Sequence, residues 1–472
     1  MSTLIKNGLI VTPAETFAAD LFVEDEKIAQ IGKDLDIPAD EEIDATGLYV
    51  LPGGVDAHVH LDLPMAGTVS SDDHYTGTKA AAFGGTTTVI DFISQDSDDL
   101  LNLVEEMRKK ADVKAAVDFS FHMNITHYNE KVDRAIPKLV KEGITSLKVF
   151  TAYNNRLRLQ DGEILQVLRT AKKHGLLTMM HAENGDVIDL LIKEAVEAHH
   201  LSPIWHARTR PAWGAEESVA RGAALAATAE APLYIVHMNA AGEVDQLEYA
   251  RSLGISIMGE TCPQYLFFTE KELERVDGAK WICSPPMRKE RDQVRLWEGL
   301  EDGVIKTVAT DHCPFFYDGT KTIEYEGKPV AIPGKELGRG DFTKVPNGLP
   351  GVGDRMPVMW NAMVTSGRFT VNQFVEVNCA NPARIFGLYP KKGCLLPGSD
   401  ADIVLWDPLK EVTYGTAYSQ QRTDYNLYEG WNLVGYPIRV ISRGKTIVDK
   451  GVWQGKAGQG RFVACKPFNE IL

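Results

Sequence analysis

The chain has 472 residues, 44% of them hydrophobic and 24% charged, with a formal net charge of −15. That length exceeds what one simple core supports and predicts a large domain with a smaller companion. The acidic balance and the lack of any Lys/Arg-rich run argue against a nucleic-acid partner. No apolar run reaches the ~18 residues a membrane span requires, so no membrane partner is expected.

The N-terminus, Met1 to Pro13, carries one lysine and a short apolar stretch broken by Lys6, Asn7 and Gly8. That reads as a strand and a turn, not as a signal peptide or anchor. Strand-like runs follow at 4–6, 9–12, 20–24, 27–31 and 48–51, separated by turn residues such as Asn7-Gly8 and suited to antiparallel pairing. The same texture returns at 401–406, 412–414, 438–443 and 445–448, with Arg443-Gly444-Lys445 as a hairpin turn. The two ends are therefore expected to form one β-sandwich domain from 1–52 and 397–460, with 461–472 as a C-terminal tail.

Between them the rhythm changes. Apolar, β-branched runs at 86–92, 116–122, 146–150, 177–181, 233–237, 256–260 and 307–310 alternate with helical patterns at 100–111, 161–174, 185–199, 215–229, 240–253 and 289–301. Strand then helix, repeated about eight times over roughly 330 residues, predicts an α/β fold, a (β/α)8 TIM-type barrel over 53–396. A doubly wound sheet is the rival, but no G-x-G-x-x-G follows a first strand. Residues 315–346, rich in Gly, Lys and Glu, break the rhythm and are expected as a long loop over the barrel mouth. The six cysteines (262, 283, 313, 379, 394 and 465) form no C-x-x-C pair, which suits reduced thiols in a cytoplasmic protein.

The residues that carry chemistry sit where strands end. His58 and His60 in Val55-Asp56-Ala57-His58-Val59-His60 fall on alternate positions and share a face. Two imidazoles so spaced can grip one metal ion, or can simply bond to neighbouring carbonyls. His181 and His237 close further apolar strands, and Asp311 closes 307–310 in the same way. Each alone reads as a hydrogen-bonded core residue. Together on one barrel face they are costly to bury without a shared purpose. Lys148, between Leu147 and Val149, is expensive to bury as an ammonium ion. It is either ion-paired or deprotonated and carboxylated by CO2, and a carbamate could bridge two cations about 3.5–4 Å apart.

The set His58, His60, Lys148, His181, His237 and Asp311 resembles the amidohydrolase superfamily, specifically its cyclic amidases. The likeness runs along the whole chain, from Ile5-Lys6-Asn7-Gly8 and Pro52-Gly53-Gly54-Val55-Asp56 to Gly398-Ser399-Asp400-Ala401-Asp402. It is greatest to the hydantoinase/dihydropyrimidinase branch, through Gly84-Gly85-Thr86-Thr87-Thr88, His181-Ala182-Glu183-Asn184-Gly185, Glu260-Thr261-Cys262-Pro263-Gln264-Tyr265 and Asp341-Phe342-Thr343-Lys344-Val345-Pro346-Asn347-Gly348.

That resemblance implies two divalent metal ions, usually zinc, with manganese or cobalt as alternatives. His58, His60 and Asp311 would hold the more buried ion and His181 and His237 the more exposed one, with carboxylated Lys148 (N6-carboxylysine) as the bridge. It implies Asp311 as proton carrier and Tyr153 as donor to the developing oxyanion. Ser284 and Asn347 would bind the imide edge, mostly through main-chain groups. The substrate would be a small cyclic ureide, a 5-substituted hydantoin or a dihydropyrimidine, opened to the N-carbamoyl amino acid. The assembly would be a homo-oligomer, tetramer or dimer.

Allantoinase is the alternative activity. Dihydroorotases carry an arginine shortly after the His-x-His pair, whereas Leu61-Asp62-Leu63-Pro64 follows here. The branch also contains non-catalytic adaptors, the collapsin-response mediator proteins, which lack the complete ligand set. In the loop after Tyr153, an extended course would point Arg156 and Arg158 one way and Leu157 and Leu159 the other. Whichever face lined the pocket would set the preferred ring substituent.

Overall fold

The computed structural model describes residues 2–65, 67–325 and 327–468. Eight strands, Gly54–Val59, Thr86–Ile93, Asp118–Asn124, Ser146–Phe150, Leu177–His181, Leu233–Met238, Ile257–Thr261 and Thr307–Val308, pair in parallel in chain order. The last meets the first through a single Val59–His312 bridge, giving a nearly closed barrel. Every residue of Thr86–Ile93, Ser146–Phe150 and Leu177–His181 is buried, because each strand is covered on both faces.

The helices between strands form for local reasons. In Asp161–His174 the Glu163 carboxylate takes the Gln160 N–H at 2.7 Å, while Ile164, Val167, Leu168 and Ala171 make one buried stripe. Lys172, Lys173 and His174 face the negative end of the helix, and Gly175, at φ +72°, ends it in the left-handed region.

The two chain ends build one nine-stranded sheet. Thr3–Val11, Thr16–Glu24, Lys27–Gly32, Glu41–Asp44 and Tyr49–Pro52 come from the N-terminus, and Ile403–Thr413, Asn432–Ser442, Lys445–Asp449 and Val452–Trp453 from the C-terminal part. The halves join where Tyr49–Pro52 pairs antiparallel with Ile403–Thr413. The sheet curls on itself: Gly444 lies against Val23, and Ile28, Leu21, Ile403 and Ile441 share one apolar core.

The underside of the barrel is closed by chain that follows the sheet. Val463 N bonds Phe119 O at 2.8 Å, Cys465 N bonds Gly143 O at 2.9 Å, and Phe468 N bonds Gly175 O at 2.8 Å. Residues 469–472 of the expected tail lie outside the described residues. At the same end, fully buried Lys392 places Nζ 2.5 Å from Asp118, 2.7 Å from Asp402 and 2.9 Å from Asp400, tying barrel to sheet.

Two local expectations are corrected. Segment 315–346 is not an unstructured loop. It holds an antiparallel hairpin, Lys321–Tyr325 with Lys328–Ile332, whose Ile323 and Ile332 pack on Val69 and Phe316. Val69 belongs to the loop leaving the first barrel strand, so the hairpin does stand on the mouth side. The stretch after Tyr153 is a turn, not an extended loop: the N–H groups of Arg156 and Leu157 both bond Tyr153 O, at 3.1 and 3.0 Å. The alternation expected there therefore fails. Arg158 turns to Asn154 and Asp186, Arg156 is exposed, and Leu159 is buried.

Candidate metal centre and active site

The first strand delivers two imidazoles and the last strand's end delivers a carboxylate. Asp311 Oδ1 lies 3.1 Å from both His58 Nε2 and His60 Nε2. The ligand-type atoms of these three residues all fall within 4.8 Å of one another. Lys148 Nζ reaches into the same cluster, 3.0 Å from His58 Nε2, and lies over the rings of Phe92 and Phe150, 4.3 and 5.4 Å from their centroids. Across the mouth, His181 Nδ1 and His237 Nε2 are 2.9 Å apart, and the His237 ring centroid is 5.5 Å from that of His58. All six residues that the sequence pattern singled out converge at one end of the barrel.

Backbone geometry helps to aim them. His237 follows Tyr234 and Val236, which belong to the inner cluster with Leu177 and Met179. Simple alternation would turn its ring outward. A register shift between Ile235 and Met238, with φ +42° at His237, breaks the alternation and brings the ring in. Asp311 and Tyr153 also hold positive φ, at +52° and +66°. Such conformations cost of order 1–3 kcal/mol in non-glycine residues and cluster where function over-determines the backbone.

The electrostatics suit a cation. Burial, opposed by Asp311 and Glu260, pulls the Lys148 ammonium down to about 8. Burial, then the neighbouring His181, holds His237 far below the ordinary histidine value, and burial lowers His60. Neutral ring nitrogens are the form that ligates metals. For Asp311, burial alone would raise the carboxyl, but contact with His58 and His60 outweighs it and holds it well below the usual range.

Three partners were not assigned roles in the sequence reading. Glu260, fully buried, contacts His58 Nδ1, accepts from His237 N at 3.2 Å and from Tyr234 Oη at 2.9 Å. Glu183 holds His181 Nε2 at 2.9 Å. Asp56 accepts from Thr310 Oγ1 at 2.7 Å and braces the strand before Asp311. A carboxylate behind a ligating histidine fixes its tautomer and orientation. The signal was available for Glu260, an ionisable residue near the end of an apolar strand, as for His181.

Tyr153 stands over the second pair, its ring centroid 5.0 Å from His181. Burial, with Glu183 adding to it, raises the phenol above its ordinary value and keeps it protonated. Ser284 and Asn347 meet beside it, Asn347 Nδ2 donating to Ser284 Oγ at 3.1 Å. Among the described residues no helix is long and apolar enough to cross a membrane.

The amidohydrolase family profile matches residues 49–447. A D-hydantoinase of Geobacillus stearothermophilus is 44% identical over 476 residues, covering 100% of this chain and 98% of the relative. A D-phenylhydantoinase of Escherichia coli is 41% identical over 473 residues, covering 99% of both. The crystal structure of a dihydropyrimidinase from Brevibacillus agri NCHU1002 superposes with a TM-score of 0.95 at 43% identity, covering 100% of both chains.

Proposed function

The chain belongs to the amidohydrolase family, a metal-dependent family, and from that premise we propose that it opens the ring amide of a cyclic ureide. The substrate class is a 5-substituted hydantoin or a dihydropyrimidine, and the product is the N-carbamoyl amino acid. The observation that carries this is the convergence of His58, His60 and Asp311 within 4.8 Å, with Lys148 at 3.0 Å from His58.

The donor set fits two divalent ions, with zinc the first choice and manganese or cobalt compatible. His58, His60 and Asp311 would hold one. His181 and His237 offer only two nitrogens, so the second ion needs another donor. Lys148 can provide it: a free amine adds CO2 and loses a proton to give a carbamate with two oxygens. An amine with a pKa of about 8 is roughly one-tenth uncharged at pH 7, enough to react. When bound, the ions acidify water toward neutrality and polarise the ring carbonyl.

The protein's own groups then order the chemistry. Asp311 accepts the proton that water gives up and returns it to the leaving ring nitrogen. Tyr153 donates its phenol proton as a hydrogen bond to the developing oxyanion. Ser284 and Asn347 hold the imide edge of the ring. One C–O bond forms, one C–N bond breaks, and the products are a carboxylate and a ureido nitrogen. Glu260 and Glu183 keep His58 and His181 in the ligating tautomer.

The direct test is a turnover panel of dihydrouracil, hydantoin, 5-substituted hydantoins, allantoin and dihydroorotate. Hydantoins and dihydrouracil are expected to react, to stop on chelation and to recover with zinc, manganese or cobalt. Reaction of allantoin or dihydroorotate alone overturns the substrate assignment, and no turnover of any overturns the enzyme reading.

A further inference from the structure

The backbone around Ser284 is held from several sides. Ile282 O accepts from Lys335 Nζ at 2.9 Å and from Gly348 N at 3.1 Å. Cys283 O lies 2.8 Å from His206 Nε2, and Pro285 O accepts from Tyr265 Oη at 2.9 Å. Among the described residues no protein donor reaches the Ser284 carbonyl itself. Within the runs 281–288 and 345–350, Ser284 and Asn347 alone are not fully buried. The segment therefore keeps one carbonyl free, matched to an N–H such as the one between the two carbonyls of a hydantoin.

Lys335 is the costly member of this arrangement. It is 1% exposed, yet among the described residues it has no carboxylate partner, whereas buried Lys392 has three. Burial pulls its amine down to about 7, against the nearby Cys283 and Cys313. Charged or neutral, the amine keeps N–H donors for Ile282 O. An apolar side chain of similar length would fill the site without that burial cost, so the bond itself calls for a role.

Its position supplies one. Lys335 N bonds Phe316 O at 2.8 Å, closing the neck of the segment that carries the hairpin Lys321–Tyr325 with Lys328–Ile332. Pro333 O accepts from Thr68 Oγ1 at 2.7 Å, so the same neck is tied to the loop that follows His58 and His60. Ile282 lies two residues before Ser284, and Gly348 directly follows Asn347. Asn347 Nδ2 donates to Ser284 Oγ at 3.1 Å, joining the two directly as well.

We infer that Lys335 is the positioning residue of the imide clamp: its amine fastens the Ile282 carbonyl, and through it the Ser284 and Asn347 backbone, to the base of the 321–332 hairpin. Being buried, it acts through that backbone and not on the substrate. The inference rests on the reading of Ser284 and Asn347 as the imide edge and adds what holds that edge in place.

The test compares a 5-substituted hydantoin with its N3-methyl analogue on the metal-loaded enzyme. Binding is read as KM or, where the analogue is not opened, as its inhibition constant against hydantoin. Methylation removes the imide N–H, so the wild-type enzyme is expected to prefer the parent by about 10–100-fold, the cost of leaving one buried acceptor unmatched. In Lys335→Met the preference is expected to fall below about threefold, because the clamp no longer holds its register. Metal content should be unchanged, and the analogue itself should bind within about twofold of its wild-type value. Should Lys335→Met not fold, Lys335→Gln, with a shorter polar side chain, is read by the same criteria. A preference that survives the substitution, including equal weakening of both ligands, overturns the role of Lys335 and leaves the imide edge standing. A wild-type enzyme that does not distinguish the two ligands overturns the imide edge and the role of Lys335 with it.

Discussion

Replacing Lys392 by methionine removes the one ammonium that faces three buried carboxylates. In the native protein Nζ contacts Asp118, Asp402 and Asp400 at 2.5, 2.7 and 2.9 Å. Two of the acids keep other cations, since Arg443 Nε lies 3.1 Å from Asp118 and Lys27 Nζ 2.5 Å from Asp400. Asp402 would keep only the Arg443 backbone N–H, at 2.8 Å. Breaking a buried ion pair by deleting one partner costs about 3–5 kcal/mol, and the two surviving cations place this case at about 3 kcal/mol.

The loss should grow with pH. Burial lowers the Lys392 pKa, but the three carboxylates outweigh it, and the net value is raised; its stabilising charge is therefore fully present across pH 5–8. Burial already raises Asp402 against the pull of Lys392, and without that ammonium it rises further. A folded-state acid with a raised pKa binds more protons than its unfolded form, so the variant loses stability as pH climbs through that value. Chemical denaturation at pH 5.5 and 8 reads the difference, with metal content and turnover at 25 °C unchanged because the cluster lies at the opposite end of the barrel from the mouth. A loss below about 1 kcal/mol, or one independent of pH, refutes the reasoning.

Lys148→Ala should abolish turnover and empty the second metal position, and added short-chain carboxylates should partly restore both. An unmodified lysine at Lys148 in the mass spectrum of active enzyme would contradict the bridge. Asp311→Asn should fold normally and lose about 10²–10⁴-fold in kcat, because an amide cannot carry the proton; a fall under tenfold removes Asp311 from that role. Glu260→Gln should weaken metal affinity by about 10–100-fold, measured by competition with a chelating dye, through loss of the carboxylate behind His58. Unchanged affinity would make Glu260 a packing residue.

The barrel was legible because its strands are buried on both faces and read as unbroken apolar runs, such as Ser146–Phe150 and Leu177–His181. The metal-type cluster was legible because ionisable residues ending such runs stand out, and His58 and His60 share a face by spacing alone. The hairpin within 315–346 escaped because Lys321, Glu324 and Lys328 dilute its alternation, leaving Ile323 and Ile332 as its buried apolar contacts. The turn after Tyr153 escaped because a positive φ at a tyrosine has no signal in composition. Partnerships across long separations were beyond any local pattern. Lys392 meets Asp118 from 274 positions away, and His206 meets Cys283 from 77.

The central claim, a two-ion centre built by six residues, is tested most directly by metal titration. Enzyme stripped with a chelator is titrated with zinc, or with manganese or cobalt, in bicarbonate buffer while hydantoin turnover is followed. Turnover should be absent without metal and should plateau at two equivalents per chain. A plateau at one equivalent, or turnover by the metal-free protein, would contradict the claim.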